Sequence, residues 1–147
     1  MLDIEKLIRN RGRVILLVAV TFTLWQGGQI TTKLVPATNA AYAPASIIAT
    51  LGAIGYALAA IMFWVYYRKV QKANATCLIN DDWAKHVRGL AIQYGFFYLI
   101  GAIALMYAYV QFWTLSSDVV LQFCIMVAVV STIFSYVWLE RKGDASQ

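Results

Sequence analysis

"RVILLVAVTFTLWQGGQI", residues 13–30, is the stretch on which the fold turns. From Val14 to Trp25 nothing is charged and nothing is more polar than threonine. Such a run is the apolar part of a secretory signal or a helix that crosses a membrane. A signal needs a small-residue cleavage site close behind it. The nearest one, "ATNAAYA", begins at Ala37, well past the run. The run therefore reads as an uncleaved membrane span over 14–30. The glutamines pose a second question. Gly27 and Gly28 are poor helix formers and suit a helix stop. That places Gln26 and Gln29 at the outer headgroup plane, as wet amides or as an outer vestibule.

Three further runs can cover a hydrocarbon core about 30 Å thick at 1.5 Å per helical residue. They occupy 45–67, 89–110 and 119–138. Lipid cannot satisfy backbone polar groups, so each must be a helix. Composition agrees. Of 147 residues 61% are hydrophobic and only 13% charged, against about 25% charged in soluble domains. The mean hydropathy is +0.66. The expectation is a single all-α integral membrane domain: an antiparallel, up-down bundle of four transmembrane helices.

Basic residues set the direction of threading. Lys6, Arg9, Arg11 and Arg13 precede the first span. Arg68, Lys69, Lys72, Lys85 and Arg88 fill the segment 68–88, and Arg141 and Lys142 follow the fourth span. Lys33 alone falls on the opposite side. Both termini are thus expected inside, in the cytoplasm of a cell with an inner (plasma) membrane, with outer loops at 31–44 and 111–118 and an inner tail at 139–147. Trp25 and Trp113 fall at expected outer ends. Trp64, Trp83 and Trp138 fall at inner ends, as interfacial indoles should. The inner segment 1–13 alternates Leu2, Ile4, Leu7 and Ile8 with charges, the pattern of a short amphipathic helix lying on the membrane surface.

Within lipid, helices associate through close contact at small residues. Span two carries Ala45, Ala49, Gly52 and Ala59, with Tyr56 and Phe63, at spacings of three and four. Span three carries Gly101, Ala104 and Ala108 on a stripe with Tyr94 and Phe97. Span four carries Ala128, Ser131 and Ser135 in line with Cys124. These are the expected packing and docking faces, toward neighbouring helices or toward another chain.

The chemistry that is missing bounds the function. No span holds Asp, Glu, Lys, Arg or His in its middle. Proton relays, ion-coupled pumps and voltage sensors need such groups at membrane depth. Cys77 and Cys124 form no metal-ligand or CxxC spacing, and the lone His86 has no second histidine to share a haem. No nucleophile elbow, phosphate loop or carboxylate pair is present. Asp82, His86 and Arg88, on the first turns of the third helix, read as a small polar docking surface on the inner side. No catalytic, cofactor or metal site is expected, and bound lipid is allowed for; an enzyme acting on lipid or quinone ranks last among the readings, because no acid–base pair reaches membrane depth. The partners expected are membrane lipids and other membrane subunits or further copies of the chain, not nucleic acid. The function expected is that of a non-catalytic accessory, assembly or stabilising subunit of a larger inner-membrane complex. The alternative is a small homo-oligomeric channel or facilitator for a neutral or weakly charged solute.

Overall fold

The computed structural model describes residues 2–72 and 82–144. These form four helices: α1 (Leu2–Leu34), α2 (Tyr42–Lys72), α3 (Asp82–Val110) and α4 (Ser117–Asp144). All four are long and apolar enough to cross a membrane. The described residues contain no strand.

The first helix departs from expectation at both ends. Residues from Leu2 onward are continuous with α1, so no separate amphipathic helix precedes the span. At the other end the helix runs through Gly27 and Gly28 to Leu34. Two glycines cost about 1 kcal/mol each relative to alanine. An interrupted helix in lipid costs several for every backbone group left unpaired, so continuation wins. The first connection shortens to 35–41. There the Asn39 side chain accepts the Ala41 N–H at 3.0 Å, and the Tyr42 N–H donates to the Asn39 carbonyl at 3.0 Å. Pro44 occupies the first turn of α2, where a missing N–H breaks no helical bond. Asn80 and Asp81, which suit an N-cap for α3, lie outside the described residues, as does Cys77.

The helices pack in the order α2–α1–α4–α3. Gly28 lies against the backbone of Ala45 and Ala49, Gly52 against that of Leu24 and Trp25, and Gly55 against Thr21. Contacts therefore ascend α2 as they descend α1. Phe22, Trp25 and Tyr56 close this seam with ring centroids 5.4–6.2 Å apart. A bundle in which every helix touches two neighbours would set α2 against α3. These two barely touch, and the ring of helices is open on that side.

Size sorting runs opposite to that of a soluble domain. The buried apolar residues are mostly alanines: Ala19, Ala45, Ala49, Ala59, Ala84, Ala91 and Ala102. The large ones face out, with Leu105 at 69% and Tyr107 at 72% exposure. A water-exposed monomer rarely shows so much contiguous apolar surface. Lipid is its natural solvent, and small residues inside let backbones approach.

The expected stripe of α2 is on the inside: Ala45, Ala49, Gly52 and Ala59 are buried. The stripe of α3 is not. Gly101, Ala104 and Ala108 are exposed, as are Tyr94 and Phe97. The intrachain seam of α3 runs instead through Ala84, Val87, Ala91, Gly95 and Ala102, with Gly95 against Thr132 of α4. Ala128, Ser131 and Ser135 of α4 are half-buried. Trp25 also departs from its expected place: it packs in the α1–α2 seam, about 12 Å along the helix from Lys33, rather than at a helix end.

Candidate functional site

Two groups of polar side chains join α1 to α4. Near one end, Lys33 Nζ donates to Asp118 Oδ2 at 2.6 Å and to Gln122 Oε1 at 3.0 Å. The Gln122 amide in turn donates to Gln26 Oε1 at 2.7 Å and to Gln29 Oε1 at 3.3 Å. The two glutamines of "WQGGQ" are therefore half-buried partners of a third, one and two turns below Lys33, not wet amides past a helix stop. An amide carries both donors and acceptors, which lets Gln122 join Lys33 to two carbonyl oxygens of α1. Asp118 stands in the first turn of α4, where the helix dipole also favours an acid.

At the opposite end, Arg11 pairs with Glu140, its Nε donating to Oε1 at 2.9 Å and its Nη2 donating to the same oxygen. Both side chains are largely covered, at 15% and 17% exposure. The Arg11 guanidinium also lies 5.7 Å from the centre of the Tyr136 ring. Arg11 and Lys33 are 22 positions apart on α1; Asp118 and Glu140 are 22 apart on α4. At 1.5 Å per residue, each pair spans about 33 Å, close to the thickness of a hydrocarbon core. Between them α4 carries no formal charge, and α1 carries only Arg13, exposed and half a turn beyond Arg11.

Two recesses flank this axis. One, of about 710 Å³, lies where α2 and α3 fail to meet, near the Arg11 end. All four helices line it, with Arg11, Arg88, Tyr66 and Tyr136 among its polar walls. The other, of about 660 Å³, is a groove on α3 and α4 that includes Tyr94, Tyr98, Ser131 and Ser135.

The three residues of the expected inner docking surface, Asp82, His86 and Arg88, lie on the first turns of α3. Asp82 pairs with Lys85 at 3.2 Å. The His86 ring sits beside Trp83, with centroids 6.1 Å apart. Arg88 Nε donates to the Ala84 carbonyl at 3.1 Å. All three expected residues are exposed, and Arg88 also belongs to the larger recess. The threonines of the helices spend their hydroxyls locally. Thr21, Thr23, Thr31 and Thr132 each donate to a carbonyl four residues back at 2.8 Å. The Gln122 amide, by contrast, bonds across from α4 to α1.

Two further pairings fit an interfacial setting. The Arg68 guanidinium lies 3.8 Å from the Trp64 ring centre and Lys142 Nζ 5.2 Å from that of Trp138. Cys124 is a free, half-buried thiol, and the described residues bring no three His, Cys, Asp or Glu side chains into a metal-binding group. Glu140 is the residue that sequence reading passes over. Its signal is the matched 22-residue spacing of opposite charges on the first and fourth helices. Comparison with protein-family models, with curated proteins and with solved structures finds no match for this chain.

Proposed function

We propose that the protein is a non-catalytic subunit that assembles with or stabilises a larger inner-membrane complex. In this reading the four helices thread up and down in antiparallel order, and both termini lie in the cytoplasm with the Arg11–Glu140 end. The observation that carries it is the outward face of α3. Gly101, Ala104 and Ala108 lie off the seam that α3 uses within the chain, about a third of the way round the helix, and all three are exposed. A Cβ on Gly101 would meet nothing within 4 Å. Small residues gain nothing from facing lipid, whereas they let a neighbouring helix approach closely. The flanking Phe97 and Tyr94 supply walls for such a neighbour.

The test is purification in mild detergent with mass identification of what accompanies the chain. Fixed membrane partners are expected with the wild type and are lost in Gly101→Leu/Ala104→Leu, while helix content is unchanged. A chain that emerges alone and monodisperse ends this reading. A second reading, a homo-oligomeric facilitator for a neutral or weakly charged solute, draws on the hydroxyl-bearing groove of α3 and α4. It requires solute flux from the reconstituted chain alone, lowered by Ser135→Ala.

A further inference from the structure

We infer that the groove on α3 and α4 is a binding site for a neutral, lipid-soluble ring that carries carbonyl oxygens, the chemistry of a membrane quinone. The facilitator reading draws on the same groove, but this inference requires no flux. It needs only that the helices lie in a membrane.

Depth comes first. The α4 wall of the groove runs from Trp138 to Met126, which stand two residues from Glu140 and eight from Asp118 respectively. That is a length of about 18 Å. Thr23 of α1 also lines it, twelve residues past Arg11 and ten before Lys33. The groove thus runs from the Arg11–Glu140 end to the middle of the charge-free stretch, about the depth of one leaflet. Its volume, about 660 Å³, is in the ordinary range of ligand cavities, about 300–1,000 Å³. Tyr98 is 60% exposed, so a ring can enter sideways and leave its tail in lipid.

The walls offer donors without acceptors. Tyr94, Tyr98 and Ser135 line the groove and make no hydrogen bond among the described residues. Thr23 donates to the Ala19 carbonyl at 2.8 Å, and Ser131 reaches that of Ala128 only at 3.4 Å. Gly95, between the two tyrosines in sequence, lies against Thr132, about 12 Å along α4 from Glu140. A threonine at that depth turns back to its own helix. A phenol, held out on its ring, cannot, and hydrocarbon offers it nothing. A hydroxyl without a partner in an apolar medium is costly, so an occupant that brings acceptors is favoured over acyl chains.

Charge and shape narrow the occupant. No Asp, Glu, Lys, Arg or His lines the groove. Lys142 stands over the Trp138 ring at the shallow end, 5.2 Å from its centre. An ionic group held deeper would have no counter-charge. Tyr94, Tyr98, Phe134 and Trp138 make much of the wall aromatic, and aromatic faces suit a flat ring. A quinone brings the ring together with two carbonyl oxygens, each able to accept from a phenol.

The test is photo-labelling of the full chain in detergent with an azido-quinone that bears a decyl tail, followed by peptide mapping. Label is expected on the peptides that carry Tyr94, Tyr98 and Phe134. Excess decylubiquinone should suppress it. Decylbenzene, with tail and ring but no oxygen, and dioctanoylglycerol, with carbonyls but no ring, should not compete at equal concentration. Tyr94→Phe/Tyr98→Phe keeps both rings and removes both hydroxyls. It should raise the decylubiquinone concentration needed for suppression about 5- to 10-fold, while Tyr107→Phe, an exposed phenol outside the groove, should leave it unchanged. Val130→Trp fills the groove and should abolish the label with helix content kept. The proposal is overturned if either control compound competes as well as decylubiquinone, or if label spreads evenly over the four helices. It is overturned equally if the paired Phe variant behaves as wild type, or if Val130→Trp keeps the label. A lone chain that takes no label also overturns it, and the phenols then serve a neighbouring helix.

Discussion

The first helix meets its two neighbours by different means. Against α2 it offers Gly28 and receives Gly52, so backbone lies on backbone with aromatic rings closing the seam. Against α4 it offers charge and amide at the two ends and leaves the middle to half-buried apolar side chains. Each means does one job. Close backbone approach maximises dispersion and holds two helices together, but a smooth seam tolerates sliding. Ion pairs at matched spacing add less attraction, yet they fix how far one helix can slip along the other.

The largest effect should come from breaking the α1–α2 seam. A Cβ on Gly52 would run into the Trp25 nitrogen and come within 2.8 Å of its Cα, and neither can move without moving α1. Gly52→Val should cost about 3 kcal/mol or more, the upper range for overpacking, read as a fall in thermal midpoint in detergent. The adjacent pair Gly27 and Gly28 sharpens the point. A Cβ on Gly28 would lie 2.6 Å from the Ala49 nitrogen, whereas one on Gly27 meets nothing within 4 Å. Gly28→Ala should destabilise, while Gly27→Ala should gain up to about 1 kcal/mol from helix propensity. Equal responses at the two positions would mean that α2 does not lie where the contacts place it.

Next in size is the covered end of the α1–α4 contact. Removing one partner of a covered ion pair leaves the other charge unmatched. Glu140→Ala should cost about 2 kcal/mol, in the range for hydrogen bonds to charged groups. The exchange Arg11→Glu with Glu140→Arg should recover a good part of that loss, which a double-mutant cycle measures. No recovery would show that Glu140 acts through something other than Arg11. Smaller again is Gln122→Leu, which deletes the amide joining Lys33, Gln26 and Gln29. At about 0.6 kcal/mol for a hydrogen bond between membrane helices, three bonds bring the loss to about 1–2 kcal/mol. Gln93→Leu, an exposed amide on α3, should change stability by less than half as much.

The sequence makes some of this legible and hides the rest for identifiable reasons. Four long apolar helices follow from run length and from what lipid does to an unpaired backbone. The buried stripe of α2 stands out because Ala45, Ala49, Gly52 and Ala59 are opposed by Leu51, Ile54, Leu58 and Ile61, so size alone tells the faces apart. On α3 size does not. Ala84, Ala91, Gly95 and Ala102 form one small-residue face, and Gly101, Ala104 and Ala108 another. With apolar residues all round, no polar face breaks the tie. Gly27 and Gly28 mislead because glycine signals a helix stop in water and a close helix crossing in lipid. Glu140 hides as a tail residue until its spacing from Asp118 is set beside that of Arg11 from Lys33. The recess between α2 and α3 arises from which pairs of helices fail to meet, and no local pattern records that.

The smallest effect belongs to the exposed end of the same α1–α4 contact, and its smallness is the informative part. The Lys33 side chain is 38% exposed and that of Asp118 75%. An ion pair so open to solvent contributes about 0–1 kcal/mol and is screened by salt. Asp118→Asn should therefore cost about 0.5 kcal/mol at low ionic strength, and the difference from wild type should vanish at high salt. Glu140→Ala should keep most of its cost under the same salt, because a covered pair is screened far less. The ratio of the two costs, followed with ionic strength, thus measures how differently the two ends of one helix contact are buried. If both decline together, the Arg11–Glu140 end is as open to solvent as the Lys33–Asp118 end, and the helices do not seal around it.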